Sequence, residues 1–162
     1  MKDLLTLARE RFSARKFTAE PVSEEDLEYV MECVRLSPSA CNRQPWKWLI
    51  VRSEEAKSKL KKCYDREWFK TAPMYIVGMK NVEENWVRKY DNKPHGDIDV
   101  AIATEHLCLA ATERGLGTCW VCAYAVRCSK NSSLRRVLRR LSSFPSGILP
   151  TTAHATRKIA RR

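Results

Sequence analysis

The sequence predicts an α+β domain, because segments with helical periodicity alternate with short apolar segments of strand length. Residues 26–36 carry apolar side chains at helical spacing, whereas residues 48–51 and 74–79 are compact apolar runs typical of strands. The 162-residue chain is long enough to bury a core, and 44% of its residues are hydrophobic. We therefore predict one globular domain built on residues 1–126, followed by an atypical basic segment over residues 127–162.

Helix signals place the elements before the middle of the chain. Residues 2–12 have the apolar face of a short helix. Ser23 and the acidic turn after it predict the start of the helix that includes residues 26–36, since Ser caps a helix and acidic groups suit its dipole. Residues 54–62 should form a third, basic helix whose lysines face solvent.

The second half begins with a polar and aromatic segment, residues 81–96, which we predict to be a partly helical excursion near the site. Residues 97–113 are apolar on most sides, so this helix should lie at the centre of the fold or at a subunit interface. Gly115 should end the helix, because glycine adopts the left-handed conformation at no steric cost. Residues 118–124 should follow as a central strand.

Charge is distributed unevenly along the chain. The net charge is +11, which by itself suggests nucleic-acid binding. Residues 1–126 are nearly balanced, however, whereas residues 127–162 hold ten basic residues and no acidic ones. The excess therefore belongs to the final segment, and nucleic acid is an unfavoured partner for the domain itself.

The cysteines and histidines show no metal-binding pattern. The seven cysteines are irregularly spaced, which is typical of small buried side chains in a reducing compartment. Cys119 and Cys122 form a single C-x-x-C, and a structural zinc site normally needs four ligands, so we favour buried thiols. No apolar run approaches the roughly 20 residues that span a bilayer, and the N-terminus lacks a signal-peptide pattern. We expect a cytoplasmic protein without a metal.

Two segments carry the candidate chemistry. Residues 37–46 form a short loop that combines small residues with Asn42 and Gln44. The carboxamides of Asn42 and Gln44 offer hydrogen-bond donors and acceptors to a polar ring. Arg11, Ser13 and Arg15 alternate, so in an extended segment they face one side and suit a phosphate. The alternatives are an ordinary helix-to-strand connection for the loop and a solvated basic edge for the arginines.

Three motifs in this order resemble the FMN-dependent nitroreductase family. They are R-x-S-x-R near the N-terminus, P-S-A-x-N-x-Q-P-W in the loop, and a helix that runs into G-L-G-T-x-W. The resemblance covers about residues 5–124. It implies a three-layer sandwich with a mixed, mostly antiparallel sheet flanked by helices, assembled as a homodimer with FMN at the subunit interface.

The resemblance also assigns roles to residues. Arg11 and Ser13 should meet the flavin phosphate, and Arg15 should lie near N1 and O2 of the ring. The remaining cofactor-binding residues are expected in the loop, contributed by the opposite subunit, and at the end of the long helix: Pro38, Ser39, Ala40, Asn42, Gln44, Gly115, Leu116 and Gly117. No protein acid or base is assigned.

The implied activity is an FMN-dependent oxidoreductase that takes hydride from NAD(P)H and reduces a nitroaromatic, a quinone or a similar small electrophile. Flavin chemistry is supplied by the cofactor, while the protein binds and orients it. Two alternatives are a flavin fold without turnover and a protein whose basic segment binds nucleic acid. The physiological acceptor and the choice between NADH and NADPH stay open.

The chain departs from the family pattern after about residue 126. The expected strand with L-G-Y-P-A-D is missing, and we expect no replacement strand from residues 127–162, only a helix near residues 134–141 and a mobile tail over residues 151–162. Reading codons one base earlier from residue 144 permits L-G-Y-P-A-D in order. We therefore hypothesise a frameshift near residues 125–131.

Overall fold

A computed structural model of the chain describes residues 2–123 and the backbone of residues 143–152. Helices and short strands alternate as predicted, and the α+β fold class is confirmed. A 3₁₀ turn, Ala40–Asn42, lies in the loop over residues 37–46. The elements are α1 (Leu4–Glu10), α2 (Glu24–Arg35), β1 (Trp46–Val51), α3 (Glu54–Lys61), α4 (Glu67–Lys70), β2 (Met74–Asn81), β3 (Val87–Arg88), β4 (Lys93–Pro94), α5 (Gly96–Glu113), β5 (Gly117–Thr118) and β6 (Ser143–Thr152).

Four of these strands form the main sheet in the order β1-β2-β6-β5, and all three pairings are antiparallel. The segment after α1 adds a parallel bridge between Ser13 and Thr118, which makes the sheet mixed, as predicted. Strand β2 is buried along almost its full length, so both of its faces are covered. A strand buried on both faces reads as a continuous apolar run, which explains its clear signal in the sequence.

The two faces of the sheet belong to two hydrophobic clusters, which gives the predicted three layers. Side chains of β2 alternate between the faces, since successive residues of a strand point in opposite directions. Tyr75 and Val77 pack with Leu60 of α3 and Phe69 of α4. Met74 and Ile76 pack on the opposite face with α2 and α5. These two helices carry the elements of the candidate site described below.

Charged groups join the start of α2 to the end of α5. Ser23 caps α2 as predicted: its hydroxyl accepts the Asp26 N–H at 3.0 Å. The Arg114 guanidinium donates to the Asp26 carboxylate at 2.6 Å and to Glu25 at 2.5 Å. The Ser23 hydroxyl and the Arg114 guanidinium together hold the pKa of the Asp26 carboxyl below its usual value. The two helices are therefore fixed relative to each other near the point where α5 ends.

The C-terminus of α5 has a Schellman motif. Gly115 has a φ of +75°, as expected for the residue that ends the helix. Its N–H donates to the Thr112 carbonyl at 3.2 Å, and the Leu116 N–H donates to the Ala111 carbonyl at 2.7 Å. The predicted role of Gly115 as a helix stop is confirmed.

Two sequence expectations about local structure are wrong. Residues 82–95 form a β-hairpin through β3 and β4, with no helix in that segment, because its polar and aromatic residues lack a helical apolar stripe. The second wrong expectation is the central strand over residues 118–124. Strand β5 has only two residues and lies at the edge of the four-stranded sheet, since β6 occupies the position next to β2.

The expectation that no strand follows residue 126 is also wrong. Strand β6 pairs with β2 over most of its length, with a register shift between Gly78 and Met79. Pro145 and Pro150 lack an N–H for the ladder but still fit the register opposite β2. The mobile tail was expected over residues 151–162, but residues 151 and 152 belong to β6. The rest of that tail and the helix expected near residues 134–141 lie outside the described residues. The frameshift hypothesis stays a prediction.

No helix in the part of the chain that the structure describes is long and apolar enough to cross a membrane.

The fit of Trp48 over Gly78 allows a test of the β1-β2 pairing. The two residues are cross-strand partners, and a Cβ at position 78 would lie 2.6 Å from Trp48 Cζ3. We expect Gly78→Ala to lower the free energy of unfolding by about 1–3 kcal/mol, the usual cost of overpacking. Urea unfolding measures this difference.

The matched control removes the clash from the other side. In a Trp48→Leu background, the extra methyl has room, so Gly78→Ala should cost much less than in the wild type. Equal costs in both backgrounds would contradict the close contact between these two residues.

Candidate active site

The N-terminal motif lies beside the edge strand β5. After α1 ends, Arg11 has extended backbone angles (φ −59°, ψ 128°), and the Ala14 N–H donates to the Thr118 carbonyl at 2.8 Å. This extended course places Arg11 and Ser13 on the same side, as their spacing predicted. Both residues line one cavity, so the structure brings together the two residues expected at a phosphate.

The cavity has a volume of about 330 Å³, at the lower end of the roughly 300–1,000 Å³ range of small-molecule pockets. Five of its lining residues were not predicted from the sequence. Thr118, Trp120 and Cys122 alternate in the segment after α5, and this period of two was the signal that could have found them. The lining residues are Arg11, Ser13, Glu105, Cys108, Thr118, Trp120 and Cys122.

The thiols of this region are not poised as nucleophiles. Burial raises the pKa of Cys108 to about 11, so this thiol stays protonated at neutral pH. Burial also raises the pKa of Cys119 and of Cys122. The prediction of two buried thiols holds for Cys119 but is wrong for Cys122, which is exposed. The protonated state of these groups argues against covalent chemistry on sulfur.

The other predicted residues near this end of the chain lie elsewhere. The Arg15 guanidinium carbon is 6.0 Å from the centroid of the Trp68 ring, and Arg15 does not line the cavity. Gly115, Leu116 and Gly117 line a second cavity of about 150 Å³, together with Lys2, Glu10, Phe12 and Thr112. None of these four residues lines the cavity of Arg11 and Ser13.

The loop over residues 37–46 has an unusual backbone. Cys41, Asn42 and Gln44 have φ values of 52°, 50° and 47°, in the left-handed region that residues other than glycine seldom adopt. Such a conformation costs roughly 1–2 kcal/mol per residue, and less for Asn. Strained residues of this kind cluster at functional sites when their surroundings hold them in place. This observation separates the loop from an ordinary helix-to-strand connection.

Hydrogen bonds hold the two ends of the loop. The Ser39 hydroxyl accepts the Gln44 N–H at 2.8 Å, and the Gln44 amide donates to the Arg35 carbonyl of α2 at 3.0 Å. On the strand side, the Asn81 N–H donates to the Pro45 carbonyl at 2.7 Å. Between these anchors, Pro38 and Asn42 are exposed, and Ser39 and Ala40 are half-buried.

The loop contacts α5 through one carboxylate. The Ala40 N–H donates to Asp99 Oδ1 at 2.9 Å, and Asp99 is in the first turn of α5. Cys108, which lines the cavity, follows nine residues later, or about two and a half turns and 13 Å along the helix. The half turn places the loop and the cavity at opposite sides of α5. The loop contact and the cavity therefore lie at different positions both along α5 and around it.

The hairpin adjoins the loop on its other side. The Arg43 guanidinium donates to the carbonyls of Glu84 and Asn85 at 3.4 and 3.5 Å. The Trp86 and His95 rings meet edge to face, with centroids 4.7 Å apart. The loop therefore adjoins the start of this segment, and the role of its aromatic residues at the site stays a prediction.

Fold and cavity together define a class, an α+β protein with a pocket beside its sheet that contains Arg11 and Ser13, and the comparisons identify the family within that class. The family model "Nitroreductase family" matches residues 8–66 and 57–149. A Methanothermobacter thermautotrophicus protein named as an NADH dehydrogenase/NAD(P)H nitroreductase is 27% identical over 154 residues, which cover 91% of this chain and 73% of its own. An iodotyrosine deiodinase from Thermotoga neapolitana is 28% identical over 144 residues, 73% of each chain.

A solved structure agrees with these sequence matches. The crystal structure of a nitroreductase family protein from Clostridium difficile 630 is 30% identical, with a TM-score of 0.82 over 96% of this chain and 87% of that one. This chain belongs to the nitroreductase family. Proteins of this family are FMN-dependent oxidoreductases, and membership confirms the expected family, enzyme class and cofactor.

Proposed function

We propose that this chain is an FMN-dependent oxidoreductase that accepts hydride from NAD(P)H and reduces a small electrophile such as a nitroaromatic or a quinone. The observation that supports this best is the joint placement of Arg11 and Ser13 in one cavity of a nitroreductase fold. Bound FMN would supply the hydride chemistry, and the protein would bind, orient and shield it.

The residues present fit the phosphate end of FMN. Arg11 is half-buried, so its charge is less screened than that of a fully exposed arginine. A guanidinium pairs with two phosphate oxygens at once, and the Ser13 hydroxyl can donate a further hydrogen bond. Thr118, the bridge partner of Ser13, and Trp120 also line the cavity. We propose that Arg11 and Ser13 hold the phosphate.

The loop would complete the site from a second copy of the chain. We propose that Pro38, Ser39, Ala40, Asn42 and Gln44 line the flavin of the partner subunit, because α5 separates each loop from the cavity of its own chain. The left-handed residues present backbone groups and the Asn42 carboxamide toward solvent, where a partner's ligand can meet them.

An exposed stripe on α5 supports this dimer. Ile98 is 44% exposed, and Ala101, Ile102 and Leu109 are partly exposed on the same side. This arc lies between the face that meets the loop and the face that meets the cavity. Packing two α5 helices across a two-fold axis would bury these side chains and bring each loop toward the other cavity. We propose a homodimer of this kind.

For Arg15, Gly115, Leu116 and Gly117, the geometry supports a different role from the one first expected. Arg15 lies near the Trp68 ring, and the first three residues of the G-L-G-T-x-W motif border a separate cavity. Trp120 and Cys122 line the cavity of Arg11 instead. We propose that Trp120 and Cys122 lie next to the flavin, and that Gly115 acts by ending α5.

The electron acceptor is proposed only as a class. The hairpin with Trp86 and His95 flanks the loop, so aromatic rings are available beside the proposed flavin. Offset and edge-to-face contacts with these rings favour a flat aromatic guest. A small aromatic or quinonoid electrophile is therefore the best-supported acceptor.

The first test of this function is flavin binding by the Arg11→Ala variant. The purified wild-type chain should bind FMN, and NAD(P)H should bleach the flavin absorbance under anaerobic conditions. Arg11→Ala should weaken FMN binding by roughly 10- to 150-fold, because a hydrogen bond to a charged group contributes about 1.5–3 kcal/mol. Fluorescence titration with FMN measures both dissociation constants.

Arg9→Ala is the matched control, since Arg9 is an exposed arginine on α1 outside the cavity lining. It should bind FMN like the wild type. Equal affinity of Arg11→Ala and wild type would contradict the phosphate assignment, and absence of NAD(P)H-dependent bleaching would contradict the activity.

The shared site can be tested by mixing two defective variants. Arg11→Ala damages the cavity, and Asn42→Val damages the loop, because a β-branched residue disfavours the left-handed φ at position 42. Each pure variant should have low NAD(P)H-dependent reductase activity. After subunit exchange at equal concentrations, about a quarter of all sites should combine an intact cavity with an intact loop.

Activity should therefore rise on mixing to about a quarter of the wild-type value under the same assumption of random exchange. Each variant alone, taken through the same exchange procedure, is the control and should show no gain in reductase activity. If the loop and the cavity of one chain formed the same site, no chain in the mixture would be intact. Activity that stays at the level of the pure variants after verified exchange would contradict the shared site.

A further inference from the structure

Asp99 is a buried carboxylate that the proposed function leaves without a role. Its side chain is 2% exposed. Oδ1 accepts the Ala40 N–H at 2.9 Å, whereas Oδ2 is buried and has no hydrogen-bond partner within residues 2–123. A carboxylate is rarely buried unless it is paired, because desolvation of its charge is costly. The hydrogen bond to Ala40 is therefore the specific contact to explain.

The neighbouring acidic residue shows what an ordinary acid at this helix start does. Asp97 is in the same first turn, but its carboxylate is exposed and accepts the Lys80 ammonium at 2.6 Å. Both acids gain from the positive end of the α5 dipole. Of the two, only Asp99 contacts the loop. The helix dipole favours an acid at either position, but it does not explain why the Asp99 side chain accepts the Ala40 N–H.

Ala40 is where α5 contacts the loop through a backbone N–H. The bonds at Arg35, Pro45 and Ser39 lie at the ends of the loop or within it, and Arg43 contacts the hairpin segment through its side chain. Ala40 comes directly before Cys41 and Asn42, which have left-handed backbones. Asp99 thus holds the middle of the strained segment against a rigid helix.

We propose that Asp99 is a positioning residue that keeps residues 39–44 in the conformation that meets the flavin. The inference rests on the proposed function for the flavin contact, but not for the loop conformation itself. Asp99 touches neither substrate nor cofactor in this account. It acts through the Ala40 N–H, and a neutral acceptor oxygen at the same position serves the same purpose.

Three variants separate the hydrogen bond from the charge. Asp99→Ala removes the acceptor, and Asp99→Asn keeps an acceptor oxygen for Ala40 while removing the charge. Ala40→Pro removes the donor instead. Ser39 has φ −144° and ψ 163°, the extended conformation that precedes proline, and position 40 begins a helical turn, where proline is accepted.

Two measurements are made on each variant: the FMN dissociation constant by fluorescence titration, and amide hydrogen exchange of residues 39–44 in the flavin-free protein. We expect Asp99→Ala and Ala40→Pro each to weaken FMN binding at least tenfold and to speed exchange in the loop. The FMN dissociation constant of Asp99→Asn should stay within about threefold of the wild-type value, because this variant keeps the acceptor oxygen and loses only the charge. The double variant Asp99→Ala/Ala40→Pro should bind FMN no more weakly than either single variant, because both substitutions remove the same hydrogen bond.

Exchange in α3 is the internal control for a general loss of stability. Faster exchange in α3 as well as in the loop would show that Asp99 merely stabilises the fold, and would overturn the proposal. Wild-type affinity and exchange in Asp99→Ala would overturn it too. If the wild type itself binds no FMN, the proposed function fails, and the exchange data alone decide whether Asp99 holds the loop.

Discussion

The structure depends on the position of α5 between the sheet and an open surface. Leu107 and Ala103 of this helix are fully buried against the sheet, and Arg114 ties its end to the acidic first turn of α2. The buried side of α5 thus fixes where both parts of the candidate site lie. The loop meets α5 at Asp99, and the cavity meets it at Cys108, about two and a half turns further along and on the opposite side of the helix. This separation is the basis of the proposed two-chain site.

Local strain and rigid support occur together in the loop. Left-handed backbone at Cys41, Asn42 and Gln44 is unfavourable on its own, so the loop requires fixed neighbours on several sides. Strand β2 and helix α2 hold its ends, and Asp99 holds its middle. A loop fixed in this way can present backbone groups to a flat ring with little loss of conformational entropy on binding.

Much of the fold could be predicted from the sequence, because the relevant signals are local. Ser23 and Gly115 mark helix ends through their own backbone chemistry, and the apolar run of β2 reflects a strand covered on both faces. Strand β6 could not be predicted in this way. Its prolines give a local signal against a strand, and only the open edge of β2 places it in the sheet.

The site shows the same division between local and tertiary information. The period of two grouped Arg11, Ser13 and Arg15, and the structure places Arg11 and Ser13 in one cavity but leaves Arg15 outside its lining. No sequence signal pointed to Glu105 and Cys108, which also line that cavity, because helix α5 approaches the cavity only in the folded chain. Asp99 was missed for a similar reason, since the Ala40 N–H that it accepts lies 59 residues earlier in the sequence.

Sedimentation velocity recorded at both protein and flavin absorbance tests the need for two chains most directly. Over a dilution series with FMN present, the account predicts that bound flavin sediments only with the dimer, and that the monomer fraction is colourless. Flavin that sediments with the monomer, in the same proportion to protein as in the dimer, would contradict a site built from the loop of one chain and the cavity of another.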